Sequence, residues 1–224
     1  MADDHAFLCE FCGYDLTGAD PAGVCGECGR PVAESLPETR RGTVWQNGGG
    51  PVCLVRTGVA VARSPRGVWS RVRIDAKSSA WLLVANAVLA GVLFGVGVDS
   101  LVWAPVFASI VLALSFVEYL GLRTFGRKNR WRVTNGVALT VVGHASFGWI
   151  VGAFGAAAGW RIGGSLSGGL GLPLGLWSLV GATSIGWATV LGIAGFLCGL
   201  AVFEVLVYLG VRRCRFANPP SARA

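Results

Sequence analysis

WLLVANAVLAGVLFGVGV, residues 81–98, runs for eighteen positions without a charged side chain. At 1.5 Å per residue a helix of that length comes close to crossing the roughly 30 Å hydrocarbon core of a bilayer. Residues 101–122, LVWAPVFASIVLALSFVEYLGL, repeat the pattern after a turn at Asp99 and Ser100, and residues 137–160, VALTVVGHASFGWIVGAFGAAAGW, give a third span. A further apolar stretch over 176–211 is too long for one straight helix and is expected to hold a span near 187–209 plus a re-entrant piece, or two spans. The whole chain is 53% hydrophobic and 14% charged, with a mean hydropathy of +0.59 over 224 residues. Ordinary soluble domains carry about 25% charged residues, so this composition argues against a soluble enzyme.

The net charge of +7 is a sum of opposites. Residues 1–40 contain Asp3, Asp4, Glu10, Asp15, Asp20, Glu27, Glu34 and Glu38 against Arg30 and Arg40, formally −6, and the remainder is formally +13. The positive charge clusters at Arg63, Arg66, Arg71, Arg73 and Lys77 before the first span, at Arg123, Arg127, Lys128, Arg130 and Arg132 between the second and third, and at Arg212, Arg213 and Arg215 after the last. Lys and Arg at span flanks fix membrane orientation, so the pattern points to the bilayer and not to nucleic acid. The first residues carry acids and no apolar h-region, and a cytoplasmic N-terminus in the inner membrane is expected. Four spans then place every basic cluster on the cytoplasmic side; five would send Arg212, Arg213 and Arg215 outside. Four is favoured, with residues 166–184 as the open element.

The strongest chemical signal lies ahead of the spans. Cys9-Glu-Phe-Cys12-Gly is followed by Cys25-Gly-Glu-Cys28-Gly, with twelve residues between Cys12 and Cys25. Each CxxCG pair can bend into a knuckle that aims two thiolates at one ion, with Gly13 and Gly29 relieving the turn, and two knuckles supply a closed tetrahedral site. Zinc suits this donor set, and an iron site or a redox dithiol are the alternatives. Four protein ligands leave no open position, which is the pattern of a structural metal. A head this small has little core of its own, so binding energy would substitute for packing.

The expected organisation is a small zinc ribbon with β-rich knuckles at 1–35, a linker and basic juxtamembrane segment at 36–79, an all-α transmembrane bundle at 80–211, and a basic cytoplasmic tail at 212–224. Within the linker, the β-branched stretch 52–61 reads as a strand or a surface-lying segment. Residues 64–79, with Val68, Trp69, Val72 and Ile74 among arginines, suit a helix lying in the membrane interface. Glycines recur at four-residue spacing, Gly91 with Gly95, Gly148 with Gly152, Gly155 with Gly159 and Gly195 with Gly199. Such faces allow close helix approach, either within the chain or in a homo-oligomer.

CEFCGYDLTG followed by CGECGRPV, within residues 7–33, is similar to the N-terminal zinc ribbons of pattern CxxCGYDLTG…CPECG that precede multi-span membrane regions in bacterial proteins, those of planctomycetes especially. The membrane part resembles the Yip1 family, in which a basic loop, here GRKNRWRV, leads into an Ala-rich span, here ALTVVGHASFGWIVGAF. Where that family has a Tyr-Ser or similar pair, this chain has His144, Ala145 and Ser146. The resemblance implies five spans and a role in membrane organisation and trafficking, with no catalytic residues to carry over.

His144 and Glu204 are the ionisable residues set deepest in the spans, and at 1.5 Å per residue from the expected cytoplasmic ends they share a depth. Hydrocarbon is costly for either charge, so a His144/Glu204 pair is expected, as an interhelical hydrogen bond or as a relay in a small transporter or channel subunit. No nucleophile, base and orienting group can be assembled from the two histidines and the scattered carboxylates, so no enzymatic activity is expected. The leading expectation is a membrane anchor or scaffold presenting an acidic zinc ribbon to a cytoplasmic protein partner.

Overall fold

The computed structural model describes residues 6–169 and 177–218, with side chains described at 6–165 and 187–218. Its helices, in chain order, are α1 (Val44–Gly48), α2 (Gly50–Arg63), α3 (Pro65–Trp69), α4 (Ala76–Gly97), α5 (Trp103–Lys128), α6 (Asn135–Ala145), α7 (Phe147–Gly169) and α8 (Trp177–Cys214). Among the described residues there is no strand; the head holds two isolated antiparallel bridges, Leu8 with Asp15 and Val24 with Pro31. Four stretches are long and apolar enough to cross a membrane: Ala76–Gly97, Trp103–Lys128, Asn135–Ser165 and Trp187–Cys214. The side chains they expose include Val88, Val92, Val96, Ile110, Phe116, Val117, Ile193 and Leu197. Apolar surface so extensive is stable only where lipid replaces water, which marks a membrane protein.

Three local expectations are corrected. Residues 52–61 form no strand but most of α2, a 14-residue helix with Val52, Val55 and Val59 exposed, opened by Pro51 in its first turn, where a missing N–H costs nothing. Its Thr57 and Val61 are buried, and Thr57 Oγ1 accepts the Trp45 N–H at 3.0 Å. Residues 64–79 are not one interfacial helix: α3 ends at Trp69, α4 starts at Ala76, and Val68, Trp69, Val72 and Ile74 are buried in protein. Of the apolar stretch over 176–211, residues 177–211 lie in one continuous helix, α8, of 38 residues. Of the open element 166–184, residues 170–176 lie outside the described residues, and 177–184 belong to α8.

The third span is also more particular than its hydropathy suggests. It is helical as α6 and again as α7, with Ser146 between them in a turn. It is the most enclosed of the four spans.

The chain divides into two compact units, one comprising Met1–Leu83, Ser115–Ala145 and Leu206–Ala224, the other Val84–Leu114 and Ser146–Val205. In the second unit α7 and α8 run antiparallel through small residues. A Cβ on Gly148 would lie 2.5 Å from Phe203 N, on Gly155 2.7 Å from Gly195 O, on Gly159 2.2 Å from Leu191 O, and on Gly163 2.4 Å from Ala188 Cα. The glycine faces of these two helices are therefore used on each other, backbone against backbone. Trp149 stacks on Phe203 at 4.7 Å between ring centroids, and the buried Asn86 donates from Nδ2 to Ser146 Oγ at 2.8 Å. In the first unit, the α1 N-terminus closes in a capping box: Thr43 Oγ1 accepts the Gln46 N–H, and Gln46 Oε1 accepts the Thr43 N–H at 3.0 Å.

Candidate metal centre

The two CxxCG motifs fold into one local structure, made twice. In the first, Gly13 N–H donates to Cys9 O at 2.9 Å and Cys9 N–H to Tyr14 O at 2.8 Å; in the second, Gly29 N–H donates to Cys25 O at 2.9 Å and Cys25 N–H to Arg30 O at 2.8 Å. Gly13 and Gly29 have φ of +82° and +70°, the left-handed region that an L side chain resists. Phe7, Leu16 and Val32 form a small core with Cys9 and Cys25, so one cysteine of each knuckle is buried and the other, Cys12 or Cys28, is exposed.

All four sulfurs lie within 4.8 Å of one another, with Cys9 Sγ to Cys28 Sγ at 3.6 Å and Cys12 Sγ to Cys25 Sγ at 3.7 Å. A metal about 2.3 Å from each corner of a tetrahedron of thiolates requires edges of about 3.8 Å. A disulfide would need a separation of about 2.05 Å. Cys9, Cys12, Cys25 and Cys28 thus fit a single metal ion. Without the ion the thiols differ in acidity. Loss of solvation pushes the Cys12 thiol up to about 12, while the backbone N–H of Cys28 outweighs desolvation and holds Cys25 down to about 7. Coordination must therefore expel protons, Cys12's above all, and metal affinity rises with pH.

The head is fastened to distant parts of the chain. Asn218, buried, accepts the Leu8 N–H at Oδ1 (3.0 Å) and donates from Nδ2 to Leu8 O (2.7 Å) and Ser35 O (2.8 Å). Arg132 donates to Ala6 O, to Ala217 O at 2.9 Å and to Asn218 Oδ1 at 2.6 Å. Arg40, 4% exposed, pairs with Glu10 at 2.7 Å and donates to Trp69 O and Val72 O at 3.2 and 3.0 Å. Gly13 faces Phe216 so closely that a Cβ there would meet the ring at 2.8 Å. Sequence inspection missed Asn218, Arg40 and Arg132 as docking residues. The only hint was that Arg40 stands among acids.

His144 is fully buried in α6. Its Nδ1 bonds Thr140 O at 2.9 Å and its Nε2 bonds Thr43 Oγ1 at 3.2 Å. A carbonyl only accepts, so Nδ1 carries a proton, and in the neutral ring Nε2 accepts from the Thr43 hydroxyl. Trp69 packs against the ring edge-on, with centroids 6.1 Å apart. Both ring nitrogens thus have threonine partners.

No protein-family model, curated protein or solved structure matches this chain.

Proposed function

We propose that this is a multi-pass protein of the cytoplasmic membrane whose head, folded on one structural zinc ion, is a ribbon-like cytoplasmic anchor for a protein partner, with no catalytic role of its own. The observation that carries the proposal is the closed set of four sulfurs on a head fastened to Asn218 and Arg132. Four protein thiolates leave no position for water or substrate, so the metal's contribution is to hold shape. Such a head is rigidly tied to the membrane part, as an anchor requires, and its acidic side chains, Glu27 and Glu38 among them, are exposed for contact. The likeness of CEFCGYDLTG to membrane-linked zinc ribbons and of the third span to the Yip1 family agrees with membrane organisation as the setting.

The test uses the full chain in detergent. Elemental analysis is expected to give about one zinc per chain, lost when Cys9 and Cys12 are both replaced by Ser. Affinity capture from cytoplasm by the wild-type chain is then compared with capture by the Cys9→Ser, Cys12→Ser chain. Partners that bind both equally well would remove the scaffold role while leaving the metal site standing.

A further inference from the structure

A cleft of about 870 Å³ opens in the first unit where the head meets the end of α8. Five arginines line it: Arg40, which is paired with Glu10, and four others from separate parts of the sequence, Arg66 of α3, Arg212 and Arg213 of the last turn of α8, and Arg215 just beyond. Two carboxylates also line it, but both are committed, Glu10 to Arg40 at 2.7 Å and Glu34 to Arg30 at 3.3 Å. Among the described residues none of the four arginines is paired with a carboxylate. Arg212 instead donates to Tyr208 Oη at 3.0 Å, and Arg215 lies over the Trp131 and Phe216 rings. Those contacts hold the side chains in place without neutralising them.

We propose that this cleft binds the phosphate of an anionic lipid headgroup. Four guanidinium groups around one cavity repel one another, and the planar fork of each suits phosphate oxygens in bidentate contact. The lipid source follows from position and lining. Arg212 and Arg213 end the candidate span Trp187–Cys214, so the cleft lies where hydrocarbon gives way to headgroups. Leu209 and Phe11 supply apolar wall beside the charges, and Tyr208, 57% exposed one turn before Arg212, is the aromatic type that settles at that level. This inference rests on the membrane assignment of α8 and is independent of whether the head recruits a partner.

The experiment is native mass spectrometry of the purified full chain released from mixed micelles holding equal phosphatidylglycerol and phosphatidylcholine. The wild-type chain is expected to retain phosphatidylglycerol preferentially, and the Arg66→Gln, Arg213→Gln chain to lose that preference by roughly 25-fold, since each arginine near an anionic surface is worth roughly a factor of five. Arg123→Gln with Arg127→Gln, flank residues outside the cleft, is the control and should keep it. Zinc content reports whether each variant is folded. Absence of any preference in the wild type overturns the proposal without a variant, as does equal loss in the control pair. A third arm adds inorganic phosphate: displacement of phosphatidylglycerol at millimolar phosphate, or equal phosphate binding in lipid-free detergent, would assign the cleft to a soluble anion and overturn the lipid assignment.

Discussion

Replacing Gly13 by Ala tests whether the metal knuckle and the C-terminal segment form one structure. Gly13 has φ +82°, and a Cβ there would stand 2.8, 2.9 and 3.1 Å from three atoms of the Phe216 ring. Gly29, its counterpart in the second knuckle, has φ +70° and nothing within 4 Å of its Cβ position. The left-handed backbone costs an alanine about 1–2 kcal/mol at either site. Only at Gly13 is there an added steric cost, about 1 kcal/mol at the low end of overpacking, because a ring can swing where backbone cannot. Gly29→Ala should therefore lose about 1–2 kcal/mol and Gly13→Ala about 2–3 kcal/mol, an extra factor of roughly five in the folded population. Chelator competition for bound metal on the full chain in detergent measures both. Adding Phe216→Ala should recover the extra loss in the Gly13→Ala background and recover nothing in Gly29→Ala, a coupling that a double-mutant cycle isolates. Equal losses at the two glycines, with no recovery, would refute the docking of Phe216 on the first knuckle.

Two further outcomes follow from the same geometry. Arg40→Met should cost about 3–5 kcal/mol in thermal unfolding, because it strands Glu10 and the carbonyls of Trp69 and Val72; Arg40→Lys should recover little, since one ammonium cannot reproduce the guanidinium fork. Gly195→Ala should cost about 3 kcal/mol or more, since its Cβ would meet Gly155 backbone atoms at 2.1 Å, whereas Gly164→Ala, with nothing within 4 Å, should be close to neutral in the same assay.

The parts of this fold that were legible in the sequence are those written in local spacing. Cys9, Cys12, Cys25 and Cys28 were readable because a knuckle is a five-residue event, and the spans because hydropathy accumulates over about twenty neighbours. The glycine spacing announced close helix contact, and only the structure paired Gly155 with Gly195. Residues 64–79 misled because a Trp and three β-branched side chains among arginines satisfy a protein core as well as a membrane interface; hydrophobicity does not distinguish the two. The stretch 52–61 misled because valine favours strands by intrinsic preference, while Pro51 and the burial of Thr57 and Val61 on one face favour a helix, and tertiary burial won. The break at Ser146 has no Pro to announce it. The Leu8 to Asn218 bonds join residues 210 positions apart, and no local pattern encodes such a pair.

Those long-range bonds also bear on how the candidate spans are arranged along the chain. Leu8 in the head and Asn218 after the last span are hydrogen bonded at 3.0 and 2.7 Å, and Arg132, which follows the second span, bonds Ala6, Ala217 and Asn218. Groups in such contact cannot be separated by about 30 Å of hydrocarbon. The candidate spans agree with this: two, Ala76–Gly97 and Trp103–Lys128, lie between the head and Arg132, and two, Asn135–Ser165 and Trp187–Cys214, lie between Arg132 and Asn218. The same contacts give the divided charge a physical sense. An acidic head is held against the chain end that carries Arg212, Arg213 and Arg215, so basic residues at the end of the last candidate span are also the ground on which the head sits.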